Sequence, residues 1–356
     1  MTTTTFASDN YAGAHPAVIE AVAAANDGHA PAYGNDPWTQ RAEQVVRDHL
    51  GEQARAFFVF NGTGANVLAL RAACTSWGAV ICSETAHLQV DEGGAPERVG
   101  GVKLLTAPTP DGKLTPAAIE RLCARLGDEH QAQPQVVSIA NATELGTVYT
   151  PAEIRALADA AHARGLSLHV DGSRIAQAAV SLGLPVRAFT TDAGVDLLSF
   201  GATKLGAIGV EAVVVLNGEA RFADGLPFLR KQSLQLASKG RFLAAQFTAL
   251  FGGELWQELA SHGNAMAARL AAGVQGAPGL EITQAVEANA VFAQLPREAI
   301  ASLRETWHFY DWTTPGRAVP AGHGEVRWMC AWDVSEADVD RFAAEVRETL
   351  GALAPA

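Results

Sequence analysis

Five apolar runs of strand length, Ala56–Phe60, Gly78–Cys82, Val136–Ala140, Leu166–Val170 and Leu197–Phe200, alternate with amphipathic stretches, and this rhythm constrains the chain more than any single motif. Runs rich in β-branched and aromatic residues suit strands buried on both faces. Joined through helices, they read as βαβ units, so the expected class is α/β with a mostly parallel central sheet. Several helices mark their own ends. Thr150-Pro-Ala-Glu153 is a capping box with proline at the first helical position, followed by Ile154, Leu157, Ala158 and Ala161 on one face, which predicts a helix over about 151–164. Thr115-Pro116 opens another, with Ile119, Leu122, Cys123 and Leu126 on its apolar face. Ser335-Glu-Ala-Asp338 precedes a C-terminal helix carrying Val339, Phe342, Ala343, Val346 and Leu350. Gly209–Leu216 is a further strand. Beyond about residue 260 the order becomes helix, strand (Ala290–Leu295), helix, strand (Val326–Trp332), helix, which predicts a smaller α+β domain. The expected division is an N-terminal arm (1–15), a large domain (16–255) and a small domain (256–356).

Composition narrows the partners. Lys plus Arg is 26 against 38 Asp plus Glu, a net charge of -12, whose field repels polyphosphate backbones, so nucleic acid is not an expected partner. No window reaches the ~18 apolar residues of a membrane span, and the start, MTTTTFASDN, has no basic or apolar targeting segment. Cys74, Cys82, Cys123 and Cys330 form no CxxC pair, which fits free thiols in a reducing cytoplasm. No HExxH or clustered His/Cys pattern occurs, so no metal site is expected.

In an open α/β sheet, ligands bind where the strands end. Those positions carry Asn61-Gly-Thr-Gly-Ala-Asn66, Glu84-Thr-Ala-His87, Asn141-Ala-Thr143, Asp171-Gly-Ser-Arg174 and Gly201-Ala-Thr-Lys204. The first run leads into an expected helix, Ala65–Ala73, whose free amides and dipole suit a phosphate, although a glycine-rich turn is also often only a turn. Lys204, flanked by apolar residues, is either a desolvated amine that attacks carbonyls or a solvated surface lysine. Asp171 needs a cationic partner, which a pyridinium nitrogen or Arg174 would supply. His87 could stack on an aromatic cofactor, move a proton or merely cap a strand. His130, in a polar loop, is a weaker candidate of the same kind. Arg327 could clamp a carboxylate or make a surface ion pair.

Taken together, these residues resemble the fold-type I pyridoxal phosphate enzymes, and within them the low-specificity L-threonine aldolases, including the phenylserine aldolase branch. The resemblance runs from Phe6 to about Arg347 and rests on Ser8-Asp-Asn10, Tyr33-Gly-Asn-Asp-Pro37, Asn61–Asn66, Ser83–His87 with Asp91-Glu-Gly-Gly94, His169–Arg174, Thr203-Lys204 and Leu236–Lys239. It implies that Lys204 holds pyridoxal 5'-phosphate as a Schiff base, Asp171 pairs with the pyridine nitrogen, Gly62 and Thr63 cradle the phosphate, and His87 stacks on the ring, with Asn141, Thr203 and Arg174 also at the cofactor. It implies that Ser8, Arg174 and Arg327 bind the substrate carboxylate. Tyr33 would reach substrate in a neighbouring subunit's site, together with Arg230, Lys231 and Lys239, in a homodimer or homotetramer. The implied reaction is retro-aldol cleavage of β-hydroxy-α-amino acids to glycine and an aldehyde, with His87, His130 or Glu92 moving the hydroxyl proton. The alternatives are an aminotransferase or β-eliminating lyase of the same fold, or a non-catalytic protein that binds the cofactor.

Overall fold

The computed structural model describes residues 4–216 and 220–353. Among them, the larger sheet contains β1 (Arg55–Val59), β2 (Gly78–Ser83), β3 (Lys103–Ala107), β4 (Gln133–Ala140), β5 (Ser167–Gly172), β6 (Leu197–Gly201) and β7 (Glu211–Val215). Their spatial order is β1-β7-β6-β5-β4-β2-β3. The pairs β2–β3, β2–β4, β4–β5 and β5–β6 are parallel, while β7 runs antiparallel to both of its neighbours, β1 and β6. The reversal of β7 follows from the short path out of β6: a single 3-10 turn, Thr203–Leu205, ends at Gly206 with φ +103, and no crossover helix intervenes. Strand contact is tight there. A Cβ on Gly201 would stand 2.6 Å from the Cα of Ser173, so only glycine fits.

Helices cover both faces of the sheet. The helix Pro151–His162 has the expected capping box, and its Ile154, Leu157, Ala158 and Ala161 are all buried. A fully buried leucine contributes about 1.5–3 kcal/mol relative to an exposed one, so this single face anchors the helix. The helix expected after Thr115 ends at Leu122, short of Leu126, which is exposed: Cys123 leaves the helical path and a turn follows. The helix expected at Ala65 starts earlier, at Gly62, because the Asn61 side chain accepts from the Gly64 amide at 2.7 Å and caps the first turn.

The smaller sheet has the order β10-β11-β9-β8, from β8 (Glu281–Ile282), β9 (Ala290–Pro296), β10 (Tyr310–Trp312) and β11 (His323–Met329), all antiparallel. The strand expected to reach Trp332 stops at Met329 because the chain switches partners: the Met329 amide donates to Phe6 O at 2.8 Å and that of Cys330 to Asn289 O at 2.8 Å. The N-terminal segment is thus built into the smaller sheet's core. Phe6 is fully buried and stacks on Phe342 at 4.5 Å, and from there the chain runs back toward the larger sheet. Among the described residues no helix is long and apolar enough to cross a membrane.

Candidate active site

Where the parallel strands end, a cleft of about 200 Å³ opens, lined by Asn61, Gly62 and Thr63 after β1, His87 after β2, Asp171 and Ser173 at the end of β5, Lys204 after β6, and Glu211 at the start of β7. Side chains there are held by one another. Asn66, on the helix Gly62–Ala73, donates from one amide nitrogen to Asp171 Oδ2 at 2.8 Å and to Glu92 Oε1 at 2.8 Å. The same Glu92 oxygen meets His87 Nδ1 at 2.9 Å. The Ser173 amide completes the set by donating to Asp171 Oδ1 at 2.9 Å.

The electrostatics follow from this arrangement. Burial pushes Asp171 up, but the charges of Lys204 and His87 and the hydrogen bonds from Ser173 and Asn66 outweigh it and hold the carboxyl below its ordinary range. Asp171 is a fixed negative charge. For His87 the bond to Glu92 is the largest influence and raises its proton affinity, with Asp171 acting in the same direction. Lys204 moves the other way: burial and the nearby Arg174 lower its affinity against the pull of Asp9, Asp171 and Glu211. Its Nζ lies 3.5 Å from Ser173 Oγ, and among the described residues it has no ion-pair partner. An amine in this position is readily deprotonated and nucleophilic.

Two arginines stand beside the amine. Arg174 does not pair with Asp171; its guanidinium is gripped in bidentate fashion by the buried Asp9, at 2.7 and 3.0 Å, which leaves Asp171 free for another cation. Arg327 has no such neutraliser. One nitrogen donates to Ala7 O at 3.0 Å, the plane lies 4.5 Å from the Trp312 ring, and Nε is buried without a partner. Burial and the charge of Arg174 both oppose its ionisation. A carboxylate brought between these guanidiniums would relieve that repulsion.

The residues fit pyridoxal phosphate. The cleft supplies a fixed carboxylate for a ring nitrogen, an amine for an aldehyde and a helix N-terminus for a phosphate, with open space over Gly62, where a Cβ would meet nothing within 4 Å. Asn66 Oδ1 and Glu92 Oε2 are buried there without hydrogen-bond partners.

Other expected residues lie elsewhere. His130 is exposed in the turn before β4, at the opposite end of the sheet, and cannot serve the cleft. Asn141 is fully buried, and both ends of its side-chain amide bond the backbone of Tyr149, so it shapes a loop instead of offering a ligand contact. Ser8 caps the turn Asp9–Tyr11 and lines a separate cavity with Tyr11 and Asp333. It is Asp9 and Asn10 of that segment that reach the site. Thr203 is half-buried at the cleft, its hydroxyl bonded to the backbone of Val210. Tyr33, Arg230 and Lys231 form their own cluster: Tyr33 and Arg230 line a small groove, and the Lys231 amine stands 5.2 Å from the Tyr33 ring. Lys239 is exposed nearby.

Two acids at the site carry no signal in the linear chain. Glu144 accepts from the His87 amide at 2.8 Å and is pushed up to about 7, chiefly by burial. Glu211 opens the apolar strand Glu-Ala-Val-Val-Val, where an acid reads as a solvent-facing end. Because β7 is reversed, its first residue lies on the rim where the other strands end.

Fold and site together define a fold-type I enzyme that uses pyridoxal phosphate. Residues 5–297 match the family described as beta-eliminating lyase. Over 98% of each chain, the sequence is 43% identical to a low-specificity L-threonine aldolase of Pseudomonas sp. (strain NCIMB 10558) and 44% identical to one of Pseudomonas aeruginosa. A solved threonine aldolase structure from Leishmania major superposes with a TM-score of 0.89 at 31% identity, covering 97% of this chain and 99% of that one. The chain belongs to the low-specificity L-threonine aldolase family.

Proposed function

We propose that this chain cleaves L-threonine, L-allo-threonine and related β-hydroxy-α-amino acids, phenylserine among them, to glycine and an aldehyde. The observation that carries the reading is the opposition of Lys204 and Asp171 across one cleft, with Arg174 and the uncompensated Arg327 beside them. Arg174 and Arg327 grip the substrate carboxylate and so fix the rotation of the amino acid about its Cα. Bound pyridoxal phosphate supplies an electron sink for the pair left when the Cα–Cβ bond breaks. Asp171 stays ionised and keeps that sink electron-poor. Lys204 would hold the cofactor covalently and, once released by substrate, would be the group placed to return to Cα the proton that completes glycine. His87 moves the β-hydroxyl proton; because Nδ1 is engaged by Glu92, the exchange falls to Nε2.

The same proposal takes a second copy of the chain as partner, in a homodimer or homotetramer. Phe228 and Leu234 are 76% and 86% exposed, close in sequence to Arg230 and Lys231, a cost that burial against another subunit would remove. Four unpaired thiols suit a cytoplasmic setting. The test is product analysis: threonine should yield glycine and acetaldehyde in equal amounts. Ammonia and a keto acid in place of glycine would overturn the reading.

A further inference from the structure

The acid at the start of β7 has a place in this site that the reaction above does not use. Glu211 is paired in register with Gly201 of β6 on one side and Val59 of β1 on the other, so its side chain enters the cleft between the strand ends that carry Lys204 and Asn61. It is 5% exposed. One carboxylate oxygen accepts from the Ala202 amide at 3.1 Å and the other from the Thr203 amide at 3.3 Å, the two amides that lead into the turn bearing Lys204. The Thr203 hydroxyl ties the same turn to Val210 through both its N–H and its C=O, each at 3.3 Å. The Lys204 turn is therefore lashed to the beginning of β7, and Glu211 is the charged member of that lashing.

We propose that Glu211 is a positioning residue for Lys204: it fixes the turn that aims the amine and holds a carboxylate in the cleft that the amine shares. The geometry suits the ionised form, which prevails as pH rises through about 7. Two amides point at two oxygens, and a protonated oxygen, or the NH₂ of a glutamine, would set donor against donor. Burial works against the charge and outweighs the bonds from Thr203 and Ala202 and the charge of Lys204, so the carboxyl stands raised to about 7. Lys204 is the charged group facing Glu211; Lys204 itself also feels Arg174 as a like charge and Asp9 and Asp171 as opposite ones. Loss of the Glu211 charge therefore removes one of three negative contributions and leaves the repulsion from Arg174 in place.

The inference rests on Lys204 being the residue that carries the cofactor. The test is a spectroscopic pH titration of the cofactor-loaded enzyme, read at its visible absorbance band, for wild type, Glu211→Gln and Glu211→Asp. A neighbouring opposite charge typically moves a titration by about one unit or more, so the midpoint of Glu211→Gln should fall by about that much. Glu211→Asp, which keeps the charge on a shorter arm, should fall between Gln and wild type. Cofactor loss on dialysis should be faster in Glu211→Gln, because one amide loses its acceptor, and kcat should drop more than KM rises. Midpoints indistinguishable from wild type in the variants that fold would overturn the proposal, even with slower turnover, since a merely structural acid would leave the titration in place. Should Glu211→Gln fail to fold, the Asp variant decides by the same criterion. A wild-type enzyme with no visible band would instead refute the role of Lys204, a different failure.

Discussion

The two ends of the larger sheet are built from the same residue types and use them in opposite ways. At the end where β4 and β6 begin, charged groups pair in or near solvent: His162 with Asp196 at 2.8 Å and Arg125 with Asp128 at 2.6 Å, with His130 exposed close by. Such pairs are worth about 0–1 kcal/mol each, and Asp196 also accepts from the Leu168 amide, an ordinary structural duty. At the end where the parallel strands finish, Asp9, Asp171, Glu144, Glu211, Lys204 and Arg327 are all displaced from their ordinary proton affinities by burial and by one another. Asn66 Oδ1, Glu92 Oε2 and Arg327 Nε are buried there without partners as well. What separates a working site from a decorated surface is the electrostatic stress the fold tolerates in one place, and residue type alone does not report it.

That contrast can be broken by substitution. Lys204→Ala should abolish the visible absorbance of the loaded enzyme and reduce threonine cleavage to background; normal turnover would return the stressed rim to the status of a surface. Arg327→Ala removes charge-assisted hydrogen bonds worth about 1.5–3 kcal/mol, so KM for threonine should rise about 10- to 100-fold with the cofactor retained, measured by steady-state kinetics. An unchanged KM would detach this arginine from the substrate. A third test uses stability. Burial pushes the Asp9 carboxyl up, but the charges of Arg174 and Lys204 and the bonds from Arg174 and Asn289 overcome it and hold the group down to about 2 from 3.8. A depressed acid contributes stability that is present above its unfolded value and lost as pH falls through the folded one. Asp9 should therefore contribute about 2 kcal/mol at neutral pH that disappears between about pH 4 and pH 2. Denaturant midpoints against pH should show this slope in wild type and a flatter one in Asp9→Asn; equal slopes would sink it. The smallest effect belongs to the relaxed end, where His130→Ala should leave kcat/KM within about twofold of wild type and stability within about 0.5 kcal/mol.

Much of this is legible in the linear chain, for identifiable reasons. Strand runs and helix caps are local signals, so the capping box at Thr150 and the polar groups following each apolar run can be located from neighbouring residues alone. Direction is not local. The rule that ligands gather after each strand points to Asp171 and Lys204 but misses Glu211, because nothing in Glu-Ala-Val-Val-Val reveals that β7 is reversed. Pairing is not local either: Arg174 stands three residues from Asp171 yet is held by Asp9, which comes from the far end of the chain. Asn141 shows the converse error, since a buried amide at a strand end looks like a ligand until its partners on Tyr149 are seen. His130 belongs to a polar loop on the wrong side of the sheet, and a loop's polarity does not say which side that is.

The burial of Phe6 against Phe342 fixes an order of events during synthesis. Phe6 packs on Trp307 as well as on Phe342, so its pocket is complete only once the helix Glu336–Leu353 is in place, and the Asp9 that neutralises Arg174 is carried on the same short segment. Assembly of the substrate pocket is consequently a closing step, completed only when both ends of the polypeptide have met, and a ribosome stalled before Phe342 would hold a catalytic lysine without a finished place to work.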